Sequence, residues 1–328
     1  MFRQARATVI LAVMLLSHVV HGVRAVAPHV RDYFYVGGEY VNTTEGHFFH
    51  HQMYVEKLVP VSGSWQPYPV VFNFLNKPYG NPGWASWFLN HGYEVDILDR
   101  TLTGRSPVLP DDELDQTAFS AELIAQRFTA VKKYPKWLQA KLHTQWPGIG
   151  EMGDPIFGTY YKSTIQSVTN AKPQEQTMKA AGTQLLDLIA DSLPELVKAL
   201  IQIEPEGPPF REVIFFTELS RPWGLTSIPL RYGPAPTNLA APLAMEMVGS
   251  NTSELLPCVM QREPARKLVN FSRVPVLIET GEASYHAMYD YCFVLFLRRA
   301  GVGVEHLELG SVGVKGNAHL QFLEGNSE

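Results

Sequence analysis

Several features that mark specialised classes of protein are scarce or absent in this 328-residue chain. It has only two cysteines, too few for a small scaffold held together by disulfides. Its 27 lysines and arginines are outnumbered by 32 aspartates and glutamates. Without a basic excess the chain lacks the field that gathers nucleic acid or anionic membrane, and we predict no nucleic-acid partner. Because 45% of its residues are hydrophobic, it has ample material for a large core.

Long apolar runs are also missing, except near the start of the chain. Arg3 and Arg6 precede an apolar stretch from Val9 to Val20, and Ala25-Val26-Ala27 offers the small residues that signal peptidase accepts. The stretch has only about a dozen residues, whereas a membrane-spanning helix needs about twenty. We therefore predict that residues 1–27 form a secretory signal peptide cleaved near Ala27, and that the mature chain is secreted and has no membrane anchor.

Removal of that segment changes the charge balance. It carries three arginines and no acidic residue, so 24 basic residues would remain against 32 acidic ones. The mature chain would have a net charge of about −8 over roughly 301 residues.

Other features agree with an exported protein. Asn42, Asn251 and Asn270 each begin an Asn-x-Ser/Thr tripeptide that accepts N-glycans when exposed. Cys258 and Cys292 form an even pair that an oxidising compartment would tend to join, although two buried thiols remain the alternative. A disulfide-bonded glycoprotein is the expectation.

The hydrophobic pattern changes period along the chain and predicts an α/β fold with a mostly parallel sheet. Apolar alternation predicts early strands, and later segments alternate between strand and helix. The predicted strands are Tyr33–Val36, His51–Val61, Tyr68–Phe72, Tyr93–Asp99, Ala199–Ile203, Val213–Phe216, Val274–Thr280 and Val302–Leu309. The predicted helical segments are Trp84–Asn90, Glu113–Phe128, Trp137–His143, Gln174–Ile189, Leu193–Lys198 and Tyr289–Ala300.

Residues 107–178 interrupt this alternation. They are rich in Trp, Tyr, Pro and Gln, which favours a cap or lid inserted into the sheet domain. No domain-sized linker is evident, so residues 28–328 are expected to form one domain with this insertion.

Four ionisable residues follow predicted strands, where catalytic groups of open α/β sheets collect. These are Asp99, Glu204, Glu282 and His319. An acid paired with a late histidine is the orienting half of a nucleophile–base–acid triad. For each residue alone, a structural role at a turn is the alternative.

Long strings of the chain resemble one family, the secreted bacterial and fungal α/β-hydrolase esterases. The similarity covers nearly all of the mature chain, and is carried by Arg31–Gly38, Pro82–Ala85, Gly92–Ser106, His143–Gly148, Glu204–Phe210, Arg221–Thr226, Gly281–His286 and Gly316–His319.

The resemblance implies an α/β-hydrolase fold, a small-molecule ester substrate and a Ser-Glu-His triad that needs no cofactor or metal. Matched by motif, Glu204 would be the acid and His319 the general base. Glu282 is the alternative acid, because many α/β-hydrolases place this residue after the next strand. Asp99, beside Gly104-Arg105-Ser106, is expected to be structural.

The family's nucleophile is missing from this chain. A serine between glycines, on a sharp strand-to-helix elbow, would be expected between Ile189 and Ala190, which are contiguous here. A glycine-rich string that supplies oxyanion-hole amides would be expected after Phe72, which instead continues into Asn73. The central strand before the elbow would be lost with it.

These gaps leave two hypotheses open. In one, the gene encodes a carboxylic-ester hydrolase and this sequence is an incomplete gene model or an inactive spliced form. In the other, the protein is a non-catalytic α/β-hydrolase-like protein that binds a ligand or partner.

Overall fold

The computed structural model describes residues 26–72, 76–109, 112–190, 197–236, 238 and 243–327. Residues 1–25 of the predicted signal peptide lie outside the described residues, as does most of the predicted helical turn Leu193–Lys198. Residues 73–75, which follow the position expected for the oxyanion-hole string, also lie outside them.

The first half of the described chain builds a four-stranded sheet. Strand β1 (His29–Val36) leads into a hairpin of β2 (Glu39–Thr43) and β3 (Gly46–His50), and then into β4 (Met53–Pro60) and β5 (Val70–Phe72). Helix α1 (Trp84–Asn90) and strand β6 (Val95–Asp99) follow. The strand order is β1-β4-β6-β5, with β5 parallel to β6 and the other pairs antiparallel. Alternate apolar residues of β4 and β6 pack against Ala85 and Leu89 of α1.

The predicted cap region contains short elements with a core of its own. Strand β7 (Gln116–Thr117) pairs with β8 (Ser167–Val168). Between them lie α2 (Ala121–Ile124), a π-helical turn (Ala125–Thr129), a 3₁₀ turn (Leu138–Leu142) and α3 (Pro155–Lys162). Ile124 and Phe157 pack there with Leu320 and Leu323 from the end of the chain, so the cap is fastened to the segment that carries His319.

Helix α4 (Ala171–Ala190) packs Ala181 and Leu185 against β1 and β4. The second half of the chain forms a separate three-stranded parallel sheet in the order β13-β12-β9. Its strands are β9 (Leu200–Ile203), β12 (Val276–Thr280) and β13 (Val304–Glu308). A ribbon of β10 (Met245–Val248) and β11 (Cys258–Gln261) and the helix α5 (Asp290–Arg299) complete a large apolar core with it.

The prediction of one mostly parallel sheet is wrong, because the four-stranded sheet is mostly antiparallel and only the separate three-stranded sheet is wholly parallel. Two predicted elements also differ from the structure. Residues 213–216 form a turn rather than a strand, and Ile214 has a φ of 69° that no strand residue adopts. The predicted helix Glu113–Phe128 begins only at Ala121, because Glu113 has a φ of 51° and Ser120 caps the helix by accepting a hydrogen bond from the Leu123 N–H.

The features linked with export have these positions in the structure. Cys258 and Cys292 form a disulfide that joins β11 to α5, as predicted. Asn42, Asn251 and Asn270 are exposed, and their glycosylation stays a prediction. Among the described residues, no helix combines the length and the apolar character needed to cross a membrane.

Candidate active site

The structure brings Glu204 and His319 together across 115 positions of sequence. Glu204 directly follows β9, and His319 lies in the loop that runs from β13 toward the end of the chain. Nδ1 of His319 is 2.6 Å from Oε2 of Glu204. Glu204 adopts a φ of 48°, a conformation that non-glycine residues rarely hold and that is concentrated at functional sites.

The Glu204 carboxylate is buried, at 4% exposure, and its two oxygens are fully engaged. Oε1 accepts a hydrogen bond from the Gly281 N–H at 2.8 Å, and Oε2 accepts one from the Ser284 hydroxyl at 2.7 Å. A side chain at Gly281 would place its Cβ 3.0 Å from Oε1 and 2.8 Å from the Asn317 carbonyl. Glycine is therefore required for this close approach, and the carboxylate is held in one orientation.

The contact through Nδ1 fixes the orientation of the His319 ring. With Nδ1 directed at Glu204, Nε2 is the nitrogen left for other chemistry. Among the described residues, Nε2 makes no hydrogen bond. Phe128 of the cap and Tyr285 lie with ring centroids 5.4 and 5.1 Å from the imidazole. The free nitrogen therefore lies in a partly exposed site with aromatic walls.

A second histidine, His286, packs against the His319 ring but does not act as an acid or base beside it. The His286 ring is stacked on His319, with centroids 5.0 Å apart and planes 4° from parallel. Its Nδ1 contacts Oδ1 of Asp290 at 2.9 Å, and Oδ2 of Asp290 accepts from the Thr280 hydroxyl at 2.6 Å. Burial lowers the pKa of His286 to about 3, even though Glu204 favours its charged form. His286 therefore stays neutral near pH 7 and does not compete as a cation for Glu204.

The same network resists metal binding. One ligand atom from each of Glu204, His286 and His319 lies within 4.8 Å of the others. Both ring nitrogens of His286, however, are engaged by groups outside this cluster, Nδ1 by Asp290 and Nε2 by the Tyr289 hydroxyl at 3.2 Å. The arrangement suits proton transfer better than metal coordination.

The other sequence candidates lie elsewhere. Glu282, the alternative acid, accepts hydrogen bonds from Lys315 Nζ and the Gly316 N–H, both at 2.9 Å. Burial raises its pKa, but these two donors outweigh burial and lower the pKa below its usual range. Asp99 holds Arg105 through contacts of 2.8 and 2.9 Å, in keeping with the structural role expected for it. Glu282 therefore belongs to an ion pair separate from His319.

Three serines of the described chain, Ser106, Ser284 and Ser311, make hydrogen bonds elsewhere and not to Nε2 of His319. Ser106 is buried, donates to the Asp99 carbonyl and accepts from the Tyr54 N–H. Ser311 is exposed and donates to the Glu308 carbonyl. Ser284 faces Glu204. Within the described ranges, no serine, threonine or cysteine side chain hydrogen-bonds to Nε2 of His319.

Within the described residues, each of the two sheets has an edge strand that is paired on one side only. In the described part of the chain, β5 pairs only with β6 and β9 pairs only with β12. Val71 of β5 is 43% exposed and Ile201 of β9 is 57% exposed. Apolar strands of a parallel sheet are normally covered and paired on both sides.

A cavity of about 440 Å³ lies beside the segment that leads into β5. It is lined by residues of β4 and β6 and by Leu188 and Ile189 at the end of α4. Asp96 of β6 faces it, is fully buried and finds no hydrogen-bond partner among the described residues. Burial raises the pKa of Asp96 to about 6, against the opposing effect of Lys57.

Sequence reasoning missed several residues of the site. Ser284 and His286 lay within a matched string, but their contacts with Glu204 and His319 depend on the loop after β12. Phe128 was assigned to a helix without a role. The cap residues Trp137 and Trp146 are both buried in packed clusters. The sequence signal that could have identified Ser284 was its place in a Gly-x-x-Ser string directly after a predicted strand.

Comparisons with known proteins place the chain among lipases and esterases. It is 37% identical over 331 residues to a protein named probable secreted lipase phiG, from Fungal sp. (strain ATCC 74256), covering 93% of this chain and 88% of that protein. No family model matches the chain. Its fold is similar to the solved structure of a novel bacterial esterase, with a TM-score of 0.54, 16% identity and coverage of 92% and 93% of the two chains. At that identity the likeness concerns the fold alone, which is α/β-hydrolase-like.

Proposed function

Since the chain belongs to the family of that probable secreted lipase, we propose that its gene encodes a secreted carboxylic-ester hydrolase with a Ser-Glu-His triad. The observation that carries the proposal is the 2.6 Å contact between His319 Nδ1 and a Glu204 carboxylate saturated by Gly281 and Ser284. This is the geometry that a general base and its orienting acid require.

Each residue then has a defined role. Nε2 of His319 takes the proton from a serine hydroxyl as the serine oxygen bonds to the ester carbonyl carbon. Glu204 stabilises the imidazolium that results, and backbone N–H groups hold the oxyanion. His319 returns the proton to the departing alcohol, and then removes a proton from the water that hydrolyses the acyl-enzyme. Phe128 and Tyr285 provide apolar walls for the ester.

The serine belongs, in this proposal, to a segment missing between Ile189 and Ala190. Three observations support its absence from this chain: the open edges of β5 and β9, the exposure of Val71 and Ile201, and the buried Asp96 facing the cavity beside Ile189. One central strand with the following elbow would pair both edges. An incomplete gene model explains these features better than selection for an inactive protein does. Replacement of the serine alone would remove activity without the loss of a strand.

It follows that the chain as printed is inactive. To test this, the printed chain and its His319→Ala variant are assayed with short p-nitrophenyl esters. We expect equal rates, because the imidazole has no nucleophile to activate. Hydrolysis by the printed chain above the His319→Ala rate would contradict the proposed incompleteness.

Glu204→Gln and Glu282→Gln then provide a matched pair in the form that contains the serine segment. Only Glu204→Gln should abolish most activity, because Glu282 contacts Lys315 rather than His319. Equal losses in both variants would overturn the assignment of the acid. If the printed sequence matches the transcript and the chain folds and melts cooperatively without activity, the non-catalytic binding protein is supported instead.

A further inference from the structure

We infer that His50, His51 and Asp112 form a binding site for one divalent transition-metal ion, with Zn²⁺ the best match. The sequence analysis predicted no metal, and the site is separate from the Glu204–His319 pair. One ligand atom from each of the three residues lies within 4.8 Å of the others. Two imidazoles and one carboxylate form a common set of three protein ligands for zinc, with the fourth position left to water.

The local backbone brings both imidazoles to the same side. Consecutive residues of a strand point to opposite faces, so neighbouring histidines would ordinarily diverge. Here β3 ends at His50, and His51 has a φ of 64°, in the left-handed region that non-glycine residues rarely adopt. As a result Nδ1 of His50 and Nε2 of His51 approach the same oxygen, Oδ1 of Asp112, at 2.8 and 3.1 Å.

The carboxylate is fixed independently of the histidines. Oδ2 of Asp112 accepts a hydrogen bond from the Leu109 N–H at 2.7 Å, which leaves Oδ1 directed at the two rings. The Asp112 side chain is buried and His50 is also buried, whereas the His51 side chain is 32% exposed. Asp112 and His50 are therefore held inside the protein. His51 is partly exposed, so solvent and the ion can reach the site beside it.

The distances are close to those of a zinc site. Ligands about 2.0–2.1 Å from a tetrahedral ion lie roughly 3.3 Å from one another. The two observed contacts with Asp112, at 2.8 and 3.1 Å, need to lengthen only slightly, and the exposed ring of His51 has room to move. Binding would replace the two N–H···O hydrogen bonds with three metal–ligand bonds, and the proton displaced from each coordinating nitrogen would be carried by the other nitrogen of the same neutral imidazole.

The ion would join two parts of the fold. His50 and His51 lie at the end of the β2–β3 hairpin, and Asp112 lies near the start of the predicted cap of residues 107–178. A bound metal would thus fasten the hairpin to the base of the cap. The expected consequence is a higher melting temperature when zinc is bound.

The test uses the full chain stripped of metal with a chelator. Zinc is titrated in competition with a chromogenic chelator, and cobalt is followed by its visible absorption. We expect one ion per chain, tetrahedral cobalt absorption and a higher melting temperature with zinc. His51→Ala, at the exposed ligand, should weaken zinc binding by more than the roughly 10–100-fold typical of lost outer-shell partners.

His47→Ala is the matched control, because His47 is an exposed histidine of the same strand outside the cluster. It should bind zinc as the parent does. Asp112→Asn is a second ligand variant that keeps the size of the side chain, in case His51→Ala fails to fold. The proposal is overturned if the parent binds no zinc at micromolar concentration, or if His51→Ala and Asp112→Asn bind as tightly as His47→Ala.

Discussion

Glu204 and Asp96 are both buried carboxylates, but their surroundings differ. Glu204 lies at the end of β9 and receives hydrogen bonds from Gly281, Ser284 and His319. Asp96 lies in β6, and neither of its oxygens has a hydrogen-bond partner among the described residues. Burying an ionised carboxylate is costly unless donors satisfy it, so the first site is complete and the second is not.

The contrast extends to the regions around the two residues. Glu204 belongs to a three-stranded sheet backed by a large continuous core and a disulfide. Asp96 faces a cavity lined by residues that precede β5 and by the end of α4. The carboxylate of the proposed acid–base pair is therefore fully hydrogen-bonded, whereas that of Asp96 is not. The difference is what the proposed loss of a central strand and elbow would produce.

The largest effect is expected on catalysis in the form that carries the serine segment. His319→Ala should lower kcat about 10⁶-fold, as loss of the base does in other serine hydrolases. Saturation kinetics with a p-nitrophenyl ester measures it. A loss of less than tenfold would show that the Glu204–His319 pair is not catalytic.

Asp96→Asn tests the incomplete region through stability. The pKa of Asp96 is raised from 3.8 to about 6, so the folded state holds this proton more tightly than the unfolded state. Its stabilising effect is present below pH 3.8 and is lost as the pH rises toward 6. Over that pH range the free energy of unfolding of the printed chain should fall by about 3 kcal/mol relative to that of Asp96→Asn.

Urea unfolding of both proteins at pH 4, 5, 6 and 7 measures this difference. It should shrink in the form with the serine segment, if that segment supplies donors to Asp96. If the difference in free energy of unfolding is unchanged, the lack of hydrogen-bond donors around Asp96 does not result from the missing strand.

A smaller effect is expected at the complete site. Ser284→Ala removes one hydrogen bond to the buried Glu204 and should lower the free energy of unfolding by roughly 1.5–3 kcal/mol. Ser311→Ala removes an exposed hydroxyl and should change it by less than about 0.5 kcal/mol. Similar values for the two variants in urea unfolding would contradict a tightly held Glu204.

The smallest effect is expected at Glu282. Its partner Lys315 is largely exposed, so Glu282→Gln should cost no more than about 1 kcal/mol. The kcat of the serine-containing form should stay within about threefold of the parent. A large loss of kcat in this variant would return Glu282 to consideration as the triad acid.

The sequence predicted the regular elements better than the site. Periodicity located α1 to the residue and most strands to within a few residues, because their burial follows directly from apolar spacing. It failed at Val213–Phe216, where apolar residues form a turn that depends on tertiary packing. Glu204 and His319 were found from strand ends and resemblance.

Their supporting residues could not be found in that way. Ser284, His286 and Asp290 act through distances set by the loop after β12 and the start of α5. Convergence of His50 and His51 on Asp112 depends on one left-handed residue, which the sequence pattern does not reveal.

Sequencing the mature transcript across the codons for Ile189 and Ala190 tests the central claim most directly. We predict additional in-frame codons there that encode an apolar strand followed by a serine in a glycine-rich turn. Directly adjacent codons for Ile189 and Ala190 in the only transcript of the secreted protein would contradict the account.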